Sequence, residues 1–238
     1  MITDPLLKYA VQHEDVSKRL FDISMMSKTK WNSVEAQNYH AEVEQAATAG
    51  SGLAMCLCAR FCRLGIGVKI SGAEAMEWGK KAANQGFAPG YFEIGSCYEH
   101  GVGVEVDHKK ATEYYEESAS AGYGFAATQL AAKLHDGGLG DKHIEKALMY
   151  AQLGYKYGDA TAPLILGGWY ENGDGIEKNE SAAVMWYERG SELGSFLASE
   201  RLHSAYLYGE LGLLINKSKA KKYLDLFELQ TNLITQGE

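Results

Sequence analysis

Apolar positions along this chain return at helical spacing, in paired stripes that recur every 36 residues. Ala126, Leu130 and Leu134 sit at i, i+4 and i+8, one face of a helix. Ala111, Tyr114 and Ser118 form a second kind of stripe at i, i+3 and i+7. The first stripe recurs in register as Cys58, Ile94, Leu130, Leu166 and Leu202, and four steps on as Cys62, Tyr98, Leu134, Tyr170 and Tyr206. The second recurs through Ala75, Ala111, Ala147 and Ala183, with Trp78, Tyr114, Tyr150 and Trp186 three residues later. In the fifth copy this half slips by one residue, to Ala220 and Tyr223.

Glycines punctuate the stripes with the same period. Gly65, Gly101, Gly137, Gly173 and Gly209 follow the first stripe, where a helix end wants a left-handed residue. Gly50, Gly86, Gly122, Gly158 and Gly194 follow the second. A third column, Gly67, Gly103 and Gly175, is interrupted by Leu139 and Leu211. Each copy therefore reads as helix A, a glycine-bearing loop, helix B and a tight turn. The spacing predicts A helices over 53–64, 89–100, 125–136, 161–172 and 197–208, and B helices over 73–85, 109–121, 145–157, 181–193 and 218–230. The five copies span 51–86, 87–122, 123–158, 159–194 and 195–230. Residues 1–50 read as N-terminal capping helices. Leu6, Leu7, Ala10, Val11, Leu20 and Phe21 suggest the first, and Ser33 N-caps a second that runs to Ala49. Residues 231–238 read as a frayed tail. No hairpin of this size buries its own apolar stripe, so stability must come from stacking on the next copy.

Two stretches carry a resemblance. Tyr98-Glu-His-Gly101-Val-Gly103-Val104-Glu-Val-Asp107-His-Lys109-Lys-Ala111-Thr-Glu-Tyr114-Tyr115 closely resembles the Sel-one-like repeat, a relative of the tetratricopeptide repeat. So does Tyr170-Glu-Asn-Gly173-Asp-Gly175-Ile176 running on to Ala183 and Trp186-Tyr187. The 36-residue period and the Gly-x-Gly-apolar loop favour this family over the 34-residue repeat. The third copy departs from it at Gly137-Gly138-Leu139-Gly140, and the fifth at Gly209-Glu-Leu-Gly-Leu. The resemblance implies an all-α fold, a right-handed α/α superhelical solenoid with helix A lining a concave face. It also implies adaptor, scaffold or regulatory work, often bacterial, and some members are immunity proteins that neutralise a toxin.

Composition narrows the partner. The 238 residues carry 23 Lys+Arg against 31 Asp+Glu, a net charge of −8. Such a chain repels phosphate backbones, so the expected partner is another protein, basic in character, rather than nucleic acid. No run of 18 apolar residues marks a membrane span and no signal peptide opens the sequence, so the chain reads as cytoplasmic. Cys56, Cys58, Cys62 and Cys97 read as buried thiols of a reducing compartment.

Chemical motifs give way to structural readings. Gly65-Ile-Gly67 and Gly101-Val-Gly103 follow helices rather than strands and lack the third glycine of a dinucleotide fingerprint. His100, His108, His135 and His143 lie in or beside the A–B loops without a ligand spacing for a metal, so no cofactor is expected. No Ser/His/Asp set, phosphate loop or Cys/His pair has a catalytic context, and the chain reads as no enzyme.

The face of each A helix opposite its core stripe is the expected partner groove. It contributes Arg60 and Arg63, then Phe92, Ser96, Glu99 and His100, then Thr128, His135 and Asp136, then Leu164, Gly168, Glu171 and Asn172, and finally Glu200 and Tyr208. Glu99, Asp136, Glu171 and Glu200 make one side acidic, and Phe92, Leu164 and Tyr208 are apolar anchors. Such a lining suits an extended or helical segment with basic and apolar residues. The first expectation is thus an adaptor or scaffold that grips a partner protein. An immunity protein that blocks a toxin is the alternative, and a metal-binding or enzymatic module the third.

Overall fold

One backbone hydrogen bond recurs in every copy of the repeat and ties helix B to helix A. The N–H of the residue that starts helix B donates to a carbonyl near the end of helix A: Ser71 to Cys62, Asp107 to Tyr98, His143 to Leu134, Asn179 to Tyr170 and Asn216 to Tyr206, at 2.7–3.0 Å. The loop between is turned by glycine in the left-handed region, φ +68 to +85 at Gly65, Gly101, Gly137, Gly173 and Gly209. The side chains of Ser71, Asp107, Asn179 and Asn216 then cap helix B by accepting from the N–H three residues on. His143 holds that place in the third copy and makes no side-chain cap.

The computed structural model describes residues 33–235. Among them are eleven α-helices and no strand. They are α1 Val34–Thr48, α2 Gly52–Leu64, α3 Gly72–Asn84, α4 Pro89–His100, α5 His108–Ser120, α6 Gly124–Asp136, α7 Ile144–Lys156, α8 Thr161–Asn172, α9 Glu180–Glu192, α10 Phe196–Tyr208 and α11 Lys217–Thr235. The even-numbered helices α2 to α10 are the A helices of the five copies. Ser33 caps α1 as expected, its hydroxyl accepting from the Ala36 N–H. The proposed first capping helix around Leu6 to Phe21 lies outside the described residues. The last helix runs to Thr235, and the Gln230 amide donates to the Ser191 carbonyl while its oxygen accepts from Ser199.

The described residues divide into two compact units, with the division between residues 126 and 127 inside α6. In the first, α1, α2, α3, α4 and α5 pack in succession, and α2 also meets α4. Its core joins Leu53, Leu57, Cys58 and Phe61 of α2 to Ala82, Phe87 and Tyr123. A neighbouring cluster holds Cys62, Ala75, Ile94 and Cys97. In the second unit α7 to α11 pack in succession. Its main core joins Ala183 and Tyr187 of α9, Leu202 and Tyr206 of α10, and Ala220 and Tyr223 of α11. Leu166 and Leu202, from the apolar stripe, are fully buried, each worth about 1.5–3 kcal/mol of transfer free energy.

The interrupted glycine column keeps its geometry in the fifth copy. Leu211 adopts φ +55, a left-handed conformation for a leucine, and its side chain is buried in the core with Tyr206 and Tyr223. Packing of that side chain offsets the backbone strain, of order 1–3 kcal/mol.

Candidate functional site

The A-helix face of the first unit is organised around a buried carboxylate that the stripe pattern does not single out. Glu93 of α4 is 1% exposed. Arg60 donates to it through Nε at 3.2 Å, and Arg63 through Nε at 3.3 Å and Nη2 at 3.0 Å. A carboxylate this deep is tolerable only with such partners, because an unpaired buried charge costs several kcal/mol. Arg60 and Arg63 therefore bridge one A helix to the next.

A second framework lies beside it. The Tyr115 hydroxyl donates to Glu99 at 2.6 Å and lies 3.1 Å from the Ser96 hydroxyl. Burial, and then the Glu99 hydrogen bond, push the phenol well above its ordinary titration range. Phe92 is half-buried in an aromatic cluster, with ring centroids 5.1 Å from Tyr115, 5.8 Å from Tyr123 and 5.3 Å from Phe125. His100 is exposed, its Nδ1 2.9 Å from the Ser96 carbonyl.

In the second unit Thr128 and His135 are buried. The His135 ring stacks on Trp169 at 4.2 Å and 9°, with Nε2 2.9 Å from the Asp174 carbonyl oxygen. Asp136 is exposed and accepts from the Gly138 N–H. Leu164 is half-buried against the core, and Gly168 faces open space, since a Cβ there would meet only the Tyr187 hydroxyl at 3.9 Å. Glu171 accepts from the Tyr187 hydroxyl at 2.6 Å and from Arg201 Nη2 at 2.7 Å and Nε at 3.1 Å. Burial raises the Glu171 carboxyl, but Arg201 and Tyr187 outweigh it and hold the group below its ordinary value. Arg201 also donates through Nη1 to Glu210. Asn172 and Glu200 are exposed, and Tyr208 is 68% exposed.

The expected lining thus splits in two. Ser96, Thr128 and His135 face the protein's own interior, and Arg60, Arg63, Glu99 and Glu171 are engaged in bridges within it. His100, Asp136, Asn172, Glu200 and Tyr208 meet solvent. Glu93, Tyr115, Tyr187 and Arg201, which build the framework, lie outside the expected lining. A signal existed: Tyr115 to Glu99 and Tyr187 to Glu171 each span 16 residues, in the second and fourth copies. Among the described residues no group of three His, Cys, Asp or Glu side chains could hold a metal ion. No helix among them is long and apolar enough to cross a membrane.

A family model described as Sel1 repeat matches residues 52–87, 88–123, 124–159, 164–195 and 196–227. A Sel1 repeat protein from Oxalobacter formigenes shares the fold at 24% identity, covering 93% of this chain and 92% of that one, with a TM-score of 0.66. The immunity protein Pa5087 from Pseudomonas aeruginosa does so at 21% identity, covering 89% and 80%, with a TM-score of 0.62. The immunity protein PA5088 from the same organism does so at 15% identity, covering 98% and 84%, with a TM-score of 0.62.

Proposed function

Because the chain belongs to the Sel1 repeat family, whose members generally mediate protein interactions and are generally non-catalytic, we propose that it is a binding protein that grips a partner protein along the A-helix faces of its repeats. The observation that carries this reading is the division of labour on those faces. Ion pairs brace neighbouring A helices from within, through Arg63–Glu93 and Glu171–Arg201, and helix B tyrosine hydroxyls hold Glu99 and Glu171 of the same repeat. The same faces leave Asn172, Glu200 and Tyr208 in solvent. A braced backbone carrying exposed polar and aromatic groups binds with little ordering cost.

A dedicated inhibitor of the immunity type is the second reading. Two proteins of similar fold are immunity proteins, and the net charge of −8 suits a basic effector. Adaptor and inhibitor share the same surface and differ in stoichiometry and affinity.

Affinity capture from native lysate, with mass spectrometry of what is retained, tests the reading. Capture should be repeated with a variant carrying Asn172→Ala, Glu200→Lys and Tyr208→Ala. Loss of the retained partner in the variant is the expected result. Full retention, together with loss on changing exposed helix B residues such as Glu113 and Glu145, would move the interface off the A-helix faces. Tight one-to-one binding that restores growth in the presence of a toxin would select the inhibitor reading.

A further inference from the structure

Resting on the A-helix reading above, we propose that the solvent face of α10 is the docking point for a cationic amphipathic segment of the partner, with Glu200 as its charge anchor and Leu197 and Tyr208 as its apolar contacts. At 100° per residue, Leu197, Glu200, Ser204 and Tyr208 fall on the face of α10 opposite the buried Ala198, Leu202 and Ala205. Leu197 is 45% and Tyr208 68% exposed. They stand at the two ends of the helix, about 16 Å apart by helical rise. Between them Ser204 is half-buried, and Glu200 is exposed with no ion pair among the described residues. An exposed leucine and tyrosine flanking an unneutralised carboxylate are what a segment with apolar and basic side chains complements.

The surroundings fix the sign of that complement. Arg201 is the cation nearest to Glu200 in sequence, and all three of its guanidinium nitrogens donate to the carboxylates of Glu171 and Glu210. Two carboxylates against one guanidinium leave that cluster with one uncompensated negative charge. Lys178 acts on Glu171 only at longer range and has its own partner, Glu180, at 3.1 Å. The α10 face therefore offers negative potential from Glu200 and from the cluster together, between two apolar contacts. An acidic segment would meet like charge there, and a purely apolar one would leave Glu200 desolvated and unpaired.

The test uses three synthetic helical peptides of about 14 residues, a little longer than the face. They share one leucine pattern and carry lysine, glutamine or glutamate at the polar positions. Binding is followed by fluorescence anisotropy with the full chain at about 0.15 M salt, where diffuse attraction is screened beyond about 8 Å. The lysine peptide is expected to bind. Glu200→Lys and Tyr208→Ala should each weaken it by roughly tenfold or more, about 1.4 kcal/mol. Glu145→Lys, the same charge change at an exposed residue of α7, should change binding less than about twofold, since a screened distant charge contributes little. Equal losses from Glu145→Lys and Glu200→Lys would reduce the attraction to net charge and overturn the proposal. Equal binding of the glutamine or glutamate peptide, or no binding by any of the three, would also overturn it. Tyr208-dependent binding of the glutamine peptide would remove the cationic partner yet leave the A-helix reading standing. Only the capture experiment with the triple variant can remove that reading.

Discussion

Arg63 and Glu93 bridge two successive A helices, and three repeats later the same two positions are held by Glu171 and Arg201 with the charges exchanged. Both pairs span 30 residues and have their shortest contacts at 3.0 and 2.7 Å. At these two joints either polarity supplies the attraction. Each joint has also acquired a third group of the sign that makes its surplus, Arg60 in the first and Glu210 in the second.

The first joint should behave as a coupled pair. Arg63→Met leaves Glu93 buried with one partner and should cost roughly 2–4 kcal/mol in urea denaturation, because the carboxylate stays desolvated. Arg63→Met combined with Glu93→Met should cost less than the single change. A double variant as unstable as the sum of the two singles would mean the pair is not coupled.

Gly95 and Gly167 are held small by the two framework tyrosines. A Cβ at Gly95 would lie 2.8 Å from Tyr115 Cε1, and one at Gly167 2.5 Å from Tyr187 Cε1. Alanine in a helix normally gains about 1 kcal/mol over glycine. Here overpacking against a buried ring should reverse the sign, for a net loss of about 1–3 kcal/mol. Thermal unfolding of Gly167→Ala, alone and with Tyr187→Leu, measures it, and the second change should recover part of the loss.

The second joint sets an acid dependence. The folded Glu171 carboxyl sits below its ordinary value of about 4.5, and the paired Arg201 is shifted up in the matching sense. A depressed folded pKa contributes stability that is present above the unfolded value and is lost as pH falls through the folded one. The stability difference between wild type and Glu171→Gln should therefore be full at neutral pH and shrink below about pH 4.5. A difference that stays constant down to pH 3 would contradict the shift.

The cysteines should be inert in the native state. All four are buried thiols outside any disulfide. Burial, followed by neighbouring carboxylates and thiols, pushes Cys62 up to about 12 and Cys58 higher still. Burial likewise pushes Cys97 up to about 11. At pH 8 an aromatic disulfide reagent should label the native protein only as fast as it opens, and label four thiols at once in denaturant. Rapid labelling of any thiol in the native protein would contradict this burial.

Much of the architecture was legible because it is periodic. The expected A helix 89–100 is α4 Pro89–His100, and 161–172 is α8 Thr161–Asn172. What period alone could not tell was which of two adjacent aromatics turns inward. The stripe assigned Tyr114 to the core, whereas Tyr115 is 1% exposed and Tyr114 half-buried, stacked on Tyr98 at 5.7 Å. Nor does a single-helix projection see the next helix. Arg63 and Glu171 lie on the face opposite the core stripe, as expected, but their charges are met by Glu93 and Arg201 from the following A helix. The α10 face was legible in part. Glu200 and Tyr208 are exposed on α10, and so is Leu197, which the expected lining does not include.

The first two A–B loops pack backbone to backbone on the start of a preceding helix, Gly103 on Gly72 of α3 and Gly67 on Ala36 of α1. A Cβ at Gly72 would fall 2.3 Å from the Gly103 Cα, and one at Gly67 2.1 Å from the Ala36 carbonyl oxygen. Contact that close ties each of these two loops to the helix start it lies on, so that adding or losing a single residue there disturbs both partners at once. Growth or shrinkage of such an array is easiest in whole modules, by duplicating or deleting a complete hairpin. Diversity among such chains would then arise from how many modules are strung together and from the exposed side chains each one carries.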